Sequence, residues 1–149
     1  MDTIIRRASA ADLDALVPLF DAYRVFYAQP SDPVRARDFL AERFANGESA
    51  VLIAERGPST VGFTQLYPIF SSVRTARTWL LNDLFVAEGA RRGGVARALL
   101  DAAAAFARGQ GAAGVMLETT RDNAPARALY RAAGWNEDES QWYSLATTP

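Results

Sequence analysis

The 149-residue chain has no cysteine and no histidine, and all 16 of its basic side chains are arginine. Without cysteine there is no disulfide, no thiol nucleophile and no thiolate metal site. Without histidine there is no Ser-His-Asp triad and no imidazole base. Without lysine there is no Schiff base and no P-loop lysine. Catalysis must therefore come from Asp, Glu, Tyr, Ser, Thr, Asn, Arg or backbone amides. No metal is expected, although a carboxylate-only Mg²⁺ or Ca²⁺ site remains chemically open. No apolar run approaches the roughly 20 residues that span a bilayer, and Met1 to Ser9 does not read as a signal peptide. The expectation is a soluble cytoplasmic protein with no membrane partner. A net charge of −1 gives no general attraction to nucleic acid.

What is present suits one globular domain over residues 1–149. Half the residues are apolar and 22% are charged. A chain of this length buries about 70% of the surface that its unfolded form exposes. Thr3 to Ala8 reads as a strand. Ser9 reads as a helix cap with Asp12 three residues on, before a helical run of Leu13, Leu16, Val17, Phe20, Tyr23 and Tyr27. Pro18 inside that run predicts a kink. Asp32 and Pro33 open a second helix, which Asn46-Gly47 closes. Strands are expected at 50–55, 61–67 and 79–86, with 70–77 as a turn. A helix follows from Val95 to about Arg108, then a strand at 115–119, a helix at 123–133, and strands at 135–136 and 142–146. The order β-α-α-β-β-β-α-β-α-β implies an α/β domain, with antiparallel strands early and a parallel crossover late.

Two stretches carry chemistry. In the first, the strand Leu81-Asn82-Asp83-Leu84-Phe85-Val86 leads into Ala90-Arg91-Arg92-Gly93-Gly94-Val95-Ala96-Arg97. Small residues at Gly93, Gly94 and Ala96 open the backbone at a helix N-terminus, and Arg91, Arg92 and Arg97 add positive charge. That combination suits a pyrophosphate. The alternative is a tight turn with a solvated arginine rim. The second stretch runs from Glu118 through Asn123, Ala126 and Tyr130 to Gly134-Trp135. Ala126, Tyr130 and Gly134 share one side of a helix there. By spacing alone Tyr130 also reads as a core residue.

Together the two stretches resemble the GNAT superfamily of N-acetyltransferases. The resemblance rests on Arg91-x-x-Gly94-x-Ala96 after Leu84-Phe85-Val86, then on Asn123-x-x-Ala126-x-x-Leu129-Tyr130-x-x-x-Gly134-Trp135. It covers about Trp79 to Tyr143. It implies a mixed, mostly antiparallel sheet of six or seven strands flanked by about four helices and splayed between strands 4 and 5. Acetyl-CoA is expected as cosubstrate in that gap. Backbone amides from Arg92 to Ala96 are expected to hold the pyrophosphate, flanked by Arg91 and Arg97. Leu84, Phe85 and Val86 are expected along the pantetheine arm, with Asn123 and Ala126 at the cofactor. Tyr130 is expected to protonate the leaving thiolate. The resemblance also implies a homodimer.

The strand at 81–86 resembles the Leu-Glu-Asp-Leu/Phe-Phe-Val strand of the polyamine-type branch, and that likeness implies a small-molecule amine as acceptor. The branch's glutamate is Asn82 here, and an amide accepts no proton as a base. Asp83 and Glu118 are the candidate bases. In strict strand alternation Asn82 and Asp83 face opposite sides. Tyr27, Asp32, Tyr67, Asn82 and Asp83 are the candidate acceptor contacts, with Tyr23, Gln29 and Phe70 nearby in the same reading. Two other readings stand beside the small-amine enzyme: a protein N-terminal acetyltransferase and a non-catalytic CoA-binding domain.

Overall fold

A computed structural model describes residues 2–149. They divide into two compact units that meet in sequence at Glu118 and Thr119.

The first unit is built on a five-stranded sheet in the order β1-β2-β3-β4-β5. Strand β1 (Ile4–Arg7) leads to a short 3₁₀ turn, Ala10–Asp12, and then to α1 (Leu13–Phe26). Ser9 and Asp12 form the expected capping box. Pro18 lies inside α1, which continues through it. Helix α2 (Pro33–Asn46) is capped by Asp32, whose side chain accepts from Arg35 N at 3.0 Å, and it ends at Gly47 with φ +62°. Strands β2 (Ala50–Arg56), β3 (Ser59–Ser71) and β4 (Ala76–Val86) form an antiparallel meander. Helix α3 (Val95–Gly109) then crosses to β5 (Val115–Met116), which runs parallel to β4.

Residues 50–54 of β2 are all buried, because helices cover both faces of the sheet. On one face Leu16, Val17, Phe20, Ala36 and Leu40 meet Val51, Ile53, Phe63 and Phe85. On the other, α3 packs on β2, β3 and β4 through a face that includes Val95, Leu99, Leu100 and Ala103. Gly62 permits that approach. A Cβ there would stand 3.0 Å from Phe85 O and 3.2 Å from Val95 Cγ1.

Three expectations need correction. Strands β3 and β4 extend into 70–77, because their hairpin turn occupies only 72–75. Strand β5 ends at Met116 rather than at residue 119. Residues 135–136 and 142–146 form no strand, so the sheet has five strands and not six or seven. Trp142, Tyr143 and Leu145 supply the apolar side chains of the expected last strand, yet all three are exposed. Apolar and aromatic residues make a strand only where an edge is there to pair with them. The second unit's one helix is α4 (Ala124–Ala132).

Phe63 is fully buried among three aromatic rings, Phe20, Tyr23 and Phe85. Phe63→Ala should cost ~3–5 kcal/mol of unfolding free energy in urea titration. A loss below ~1 kcal/mol would show that this side chain is not a centre of the core.

Candidate active site

Strands β3 and β4 slip by one residue in the middle of their pairing. Gln65 pairs with Asp83 but Leu66 pairs with Leu81, so Asn82 is the extra residue of a bulge. Bulges re-aim side chains, and this one corrects the strict alternation expected for Asn82 and Asp83. Asn82 Nδ2 donates to Asp83 Oδ1 at 2.7 Å, placing the two side chains next to each other.

Asp83 is 2% exposed. Its Oδ2 accepts from Gln65 Nε2 at 2.7 Å. Gln65 is itself fully buried, and its Oε1 accepts from Ser49 Oγ at 2.8 Å. From α1, the Tyr23 hydroxyl lies 3.3 Å from Asn82 O and 3.5 Å from Asp83 Oδ1. Thr64 Oγ1 donates to Asp83 O at 2.7 Å, which satisfies the main chain at the bulge. Among the described residues no cation pairs with Asp83. Burial raises its pKa above the ordinary carboxylate value, and hydrogen bonds from Asn82, Gln65 and Tyr23 oppose that rise. Burial also pushes the Tyr23 and Tyr67 phenols up, with the Asp83 charge adding to it. Both phenols are therefore neutral donors at any working pH.

The other predicted acceptor contacts separate. Tyr67 is half-buried on the face of β3 that carries Gln65. Tyr27 is exposed, with its ring centroid 5.1 Å from that of Tyr23. Asp32 commits an oxygen to capping α2. Phe70 is exposed beside Arg77. Glu118 is exposed beyond the end of β5 and lacks the enclosure that Asp83 has.

The second polar site is the loop from β4 to α3. Pairing between β4 and β5 stops at Leu80 and Met116, so β4 runs from Leu81 to Val86 with no β5 partner. Phe85 turns its ring into the core, while Leu84 and Val86 are half-buried. Gly94 caps α3 with φ +79° and no side-chain bond, and nothing lies within 4 Å of where its Cβ would stand. The first helical bond runs from Ala98 N to Gly94 O, so the amides from Val95 to Arg97 find no acceptor within the helix. Arg92 holds φ +65°, an uncommon conformation for a non-glycine residue. Val95 buries its side chain and offers a ligand only its backbone. An open backbone of this kind suits an anion.

The arginines divide between tasks. Arg91 Nε donates to Val86 O at 3.0 Å, and its guanidinium lies over the Phe26 and Phe85 rings. Arg97 pairs with Asp101 one turn along α3. Arg56 reaches in from β2, donating to Gly93 O at 3.1 Å and to Thr3 Oγ1 at 2.9 Å.

In the second unit Asn123 Oδ1 accepts from Ala126 N at 3.3 Å, capping α4. Tyr130 is half-buried on that helix, with its ring centroid 6.5 Å from that of Trp135. Arg127 ties α4 to Arg121 O and Glu137.

Sequence reasoning missed Ser49, Gln65 and Arg56. Gln65 left a signal: a long amide two residues after Phe63, on the same strand face as that apolar ring.

The chain belongs to the acetyltransferase (GNAT) family, whose profile matches residues 14–135. It is an acetyltransferase by that membership. An uncharacterised N-acetyltransferase of Bacillus subtilis (strain 168), YhfO, is 48% identical over 134 residues, 90% of each chain. A probable acetyltransferase of Haemophilus influenzae is 37% identical over 101 residues, 67% of this chain and 69% of that one. The crystal structure of a probable acetyltransferase, 40% identical, superposes with a TM-score of 0.93 over 98% of this chain and 99% of that one. Among the described residues no helix is long and apolar enough to cross a membrane.

The sign of the Asp83 shift can be tested through stability. Its folded pKa is raised, so the folded state holds the proton to higher pH than the unfolded state does. The stability contributed by the protonated carboxyl is fully present below about pH 3.9 and is lost as pH rises through the folded pKa. Urea unfolding of the wild type and of Asp83→Asn, from pH 3 to pH 7, should show the wild type losing ground to the variant as pH rises. A constant difference would remove the shift.

Proposed function

We propose that this chain transfers an acetyl group from acetyl-CoA to the primary amine of a small molecule, with Asp83 receiving the amine. The observation that carries this reading is the buried Asp83 carboxylate at the β4 bulge, beside Tyr23 and with no cation of its own. A buried carboxylate is costly without a partner. A cationic acceptor supplies that partner.

The chemistry follows from the desolvation. An alkylammonium, with a pKa of about 10.4 in water, must lose a proton before it attacks. In a dry site a neutral amine beside a neutral carboxylic acid is favoured over a buried ion pair. The raised pKa of Asp83 therefore makes it a better base near neutral pH. The amine nitrogen bonds to the thioester carbonyl carbon and the carbon–sulfur bond breaks. Asp83 holds the ammonium proton, and Tyr130 gives its phenol proton to the leaving thiolate. Asn82 takes no proton in this scheme. Its amide orients Oδ1 of Asp83.

Acetyl-CoA is bound in the same reading by the backbone from Arg92 to Ala96. The conformation of Gly94 and the unpaired first turn of α3 support that assignment. The main chain of Leu84 to Val86, which has no β5 partner, lines the pantetheine arm in the same reading.

The test is thiol release from acetyl-CoA against spermidine, amino acids, kanamycin and short peptides. The chain has no cysteine, so it adds no thiol background. Release with free amines and not with peptides is expected. Release only with peptides would favour transfer to protein N-termini. Asp83→Asn should lower turnover by about 10²-fold or more. Tyr130→Phe should lower turnover with little change in acetyl-CoA affinity, and unchanged turnover would remove Tyr130 from the scheme. Gly94→Glu places a side chain at φ +79° beside the loop and should abolish acetyl-CoA binding. Normal binding by that folded variant would count against the loop.

A further inference from the structure

Behind Asp83 stands a pair of residues that the reaction does not use. Gln65 is fully buried on β3, between Phe63 and Tyr67 on the same face. An apolar side chain would fill that place without the cost of desolvating an amide. The amide is instead held at both ends, by Ser49 Oγ at 2.8 Å and Asp83 Oδ2 at 2.7 Å.

The direction of this chain is coupled to the charge on Asp83. An ionised carboxylate only accepts, so the NH₂ end of Gln65 must face it. Gln65 Oε1 then points at Ser49, whose hydroxyl donates to it. With the glutamine reversed, its oxygen would face the carboxylate, and only a protonated Asp83 could meet it. The two carboxylate oxygens are also unlike. Oδ2 is on the Gln65 side, which is closed. Oδ1 is on the side of Asn82, whose side chain is exposed, and of the half-buried Tyr23.

We propose that Gln65, held by Ser49, is a positioning residue for Asp83, tying down Oδ2 so that Oδ1 is the oxygen that meets the acceptor amine. This rests on the amine-transfer reading above. The relay keeps the carboxylate in its accepting form against the pull of burial. The other titratable groups around it are Tyr23 from α1, Tyr67 from β3, and Arg43 from α2, which acts on Tyr67. Both tyrosines are neutral over the working range, so burial pulls the Asp83 titration up while the relay, Asn82 and the Tyr23 hydroxyl hold it down.

The test follows the Asp83 carboxyl carbon by NMR titration of the full chain, alongside the pH profile of kcat/KM for acetyl transfer to spermidine. Gln65→Leu removes the donor, and the Asp83 titration should move up by about one to two pH units. Ser49→Ala frees the amide to reverse and should move it in the same direction by less, and Ser49→Thr should restore it. The acid limb of the pH profile should move with the carboxyl titration, while KM for acetyl-CoA stays put. Ser49 is only half-buried, so its variants keep the test alive if Gln65→Leu fails to fold. A titration that does not move in either Ser49→Ala or Gln65→Leu overturns the relay and leaves the amine reading standing. Full turnover by Asp83→Asn overturns both.

Discussion

Burying a carboxylate with no cation beside it is the constraint around which the first unit is arranged. The effective cost of taking such an ion out of water is several kcal/mol. Hydrogen bonds to a charged group return roughly 1.5–3 kcal/mol each. Asp83 has two good ones, from Asn82 and Gln65, and a longer contact from Tyr23. Each depends on a different element. Gln65 comes from β3, Tyr23 from α1, and Asn82 from the one-residue slip in β4. Without the bulge Asn82 would turn away, and the carboxylate would lose its donor on the exposed side. In the proposed reaction that residual charge is what the cationic acceptor meets.

In the proposed reaction the same constraint explains how the chain does without histidine, lysine and cysteine. Direct transfer between an amine and a thioester needs no covalent enzyme intermediate. It needs a base tuned upward, an acid near the leaving sulfur and a place for phosphates. Desolvation tunes an ordinary aspartate in the required direction. Arginine, always charged, cannot act as that base. In this loop Arg91 and Arg56 brace main-chain carbonyls instead.

Elements with strong local signals were legible in the residues. The Ser9–Asp12 capping box, the Asp32-Pro33 helix start, Gly47 as a stop and the opening of α3 at Val95 all appear where short-range chemistry puts them. The missing strands show the limit of that reading. Trp142, Tyr143 and Leu145 are residue types that strands favour, but pairing depends on a partner strand that no local pattern encodes. The site divided along the same line. Asp83 stood out through the resemblance of the strand at 81–86 to the polyamine-type branch. The register slip that brings Asn82 beside it is a property of two strands together, and alternation within β4 alone points the other way. Ser49 and Gln65 are 16 residues apart, and only the β2–β3 hairpin makes them neighbours.

Arg56 has a consequence for the amino-terminal end. Its guanidinium spans Thr3, almost at the start of the chain, and the Gly93 carbonyl, so the amino-terminal residues and the glycine loop share one polar clamp. A change at Thr3 therefore reaches the loop at long range in sequence and short range in space.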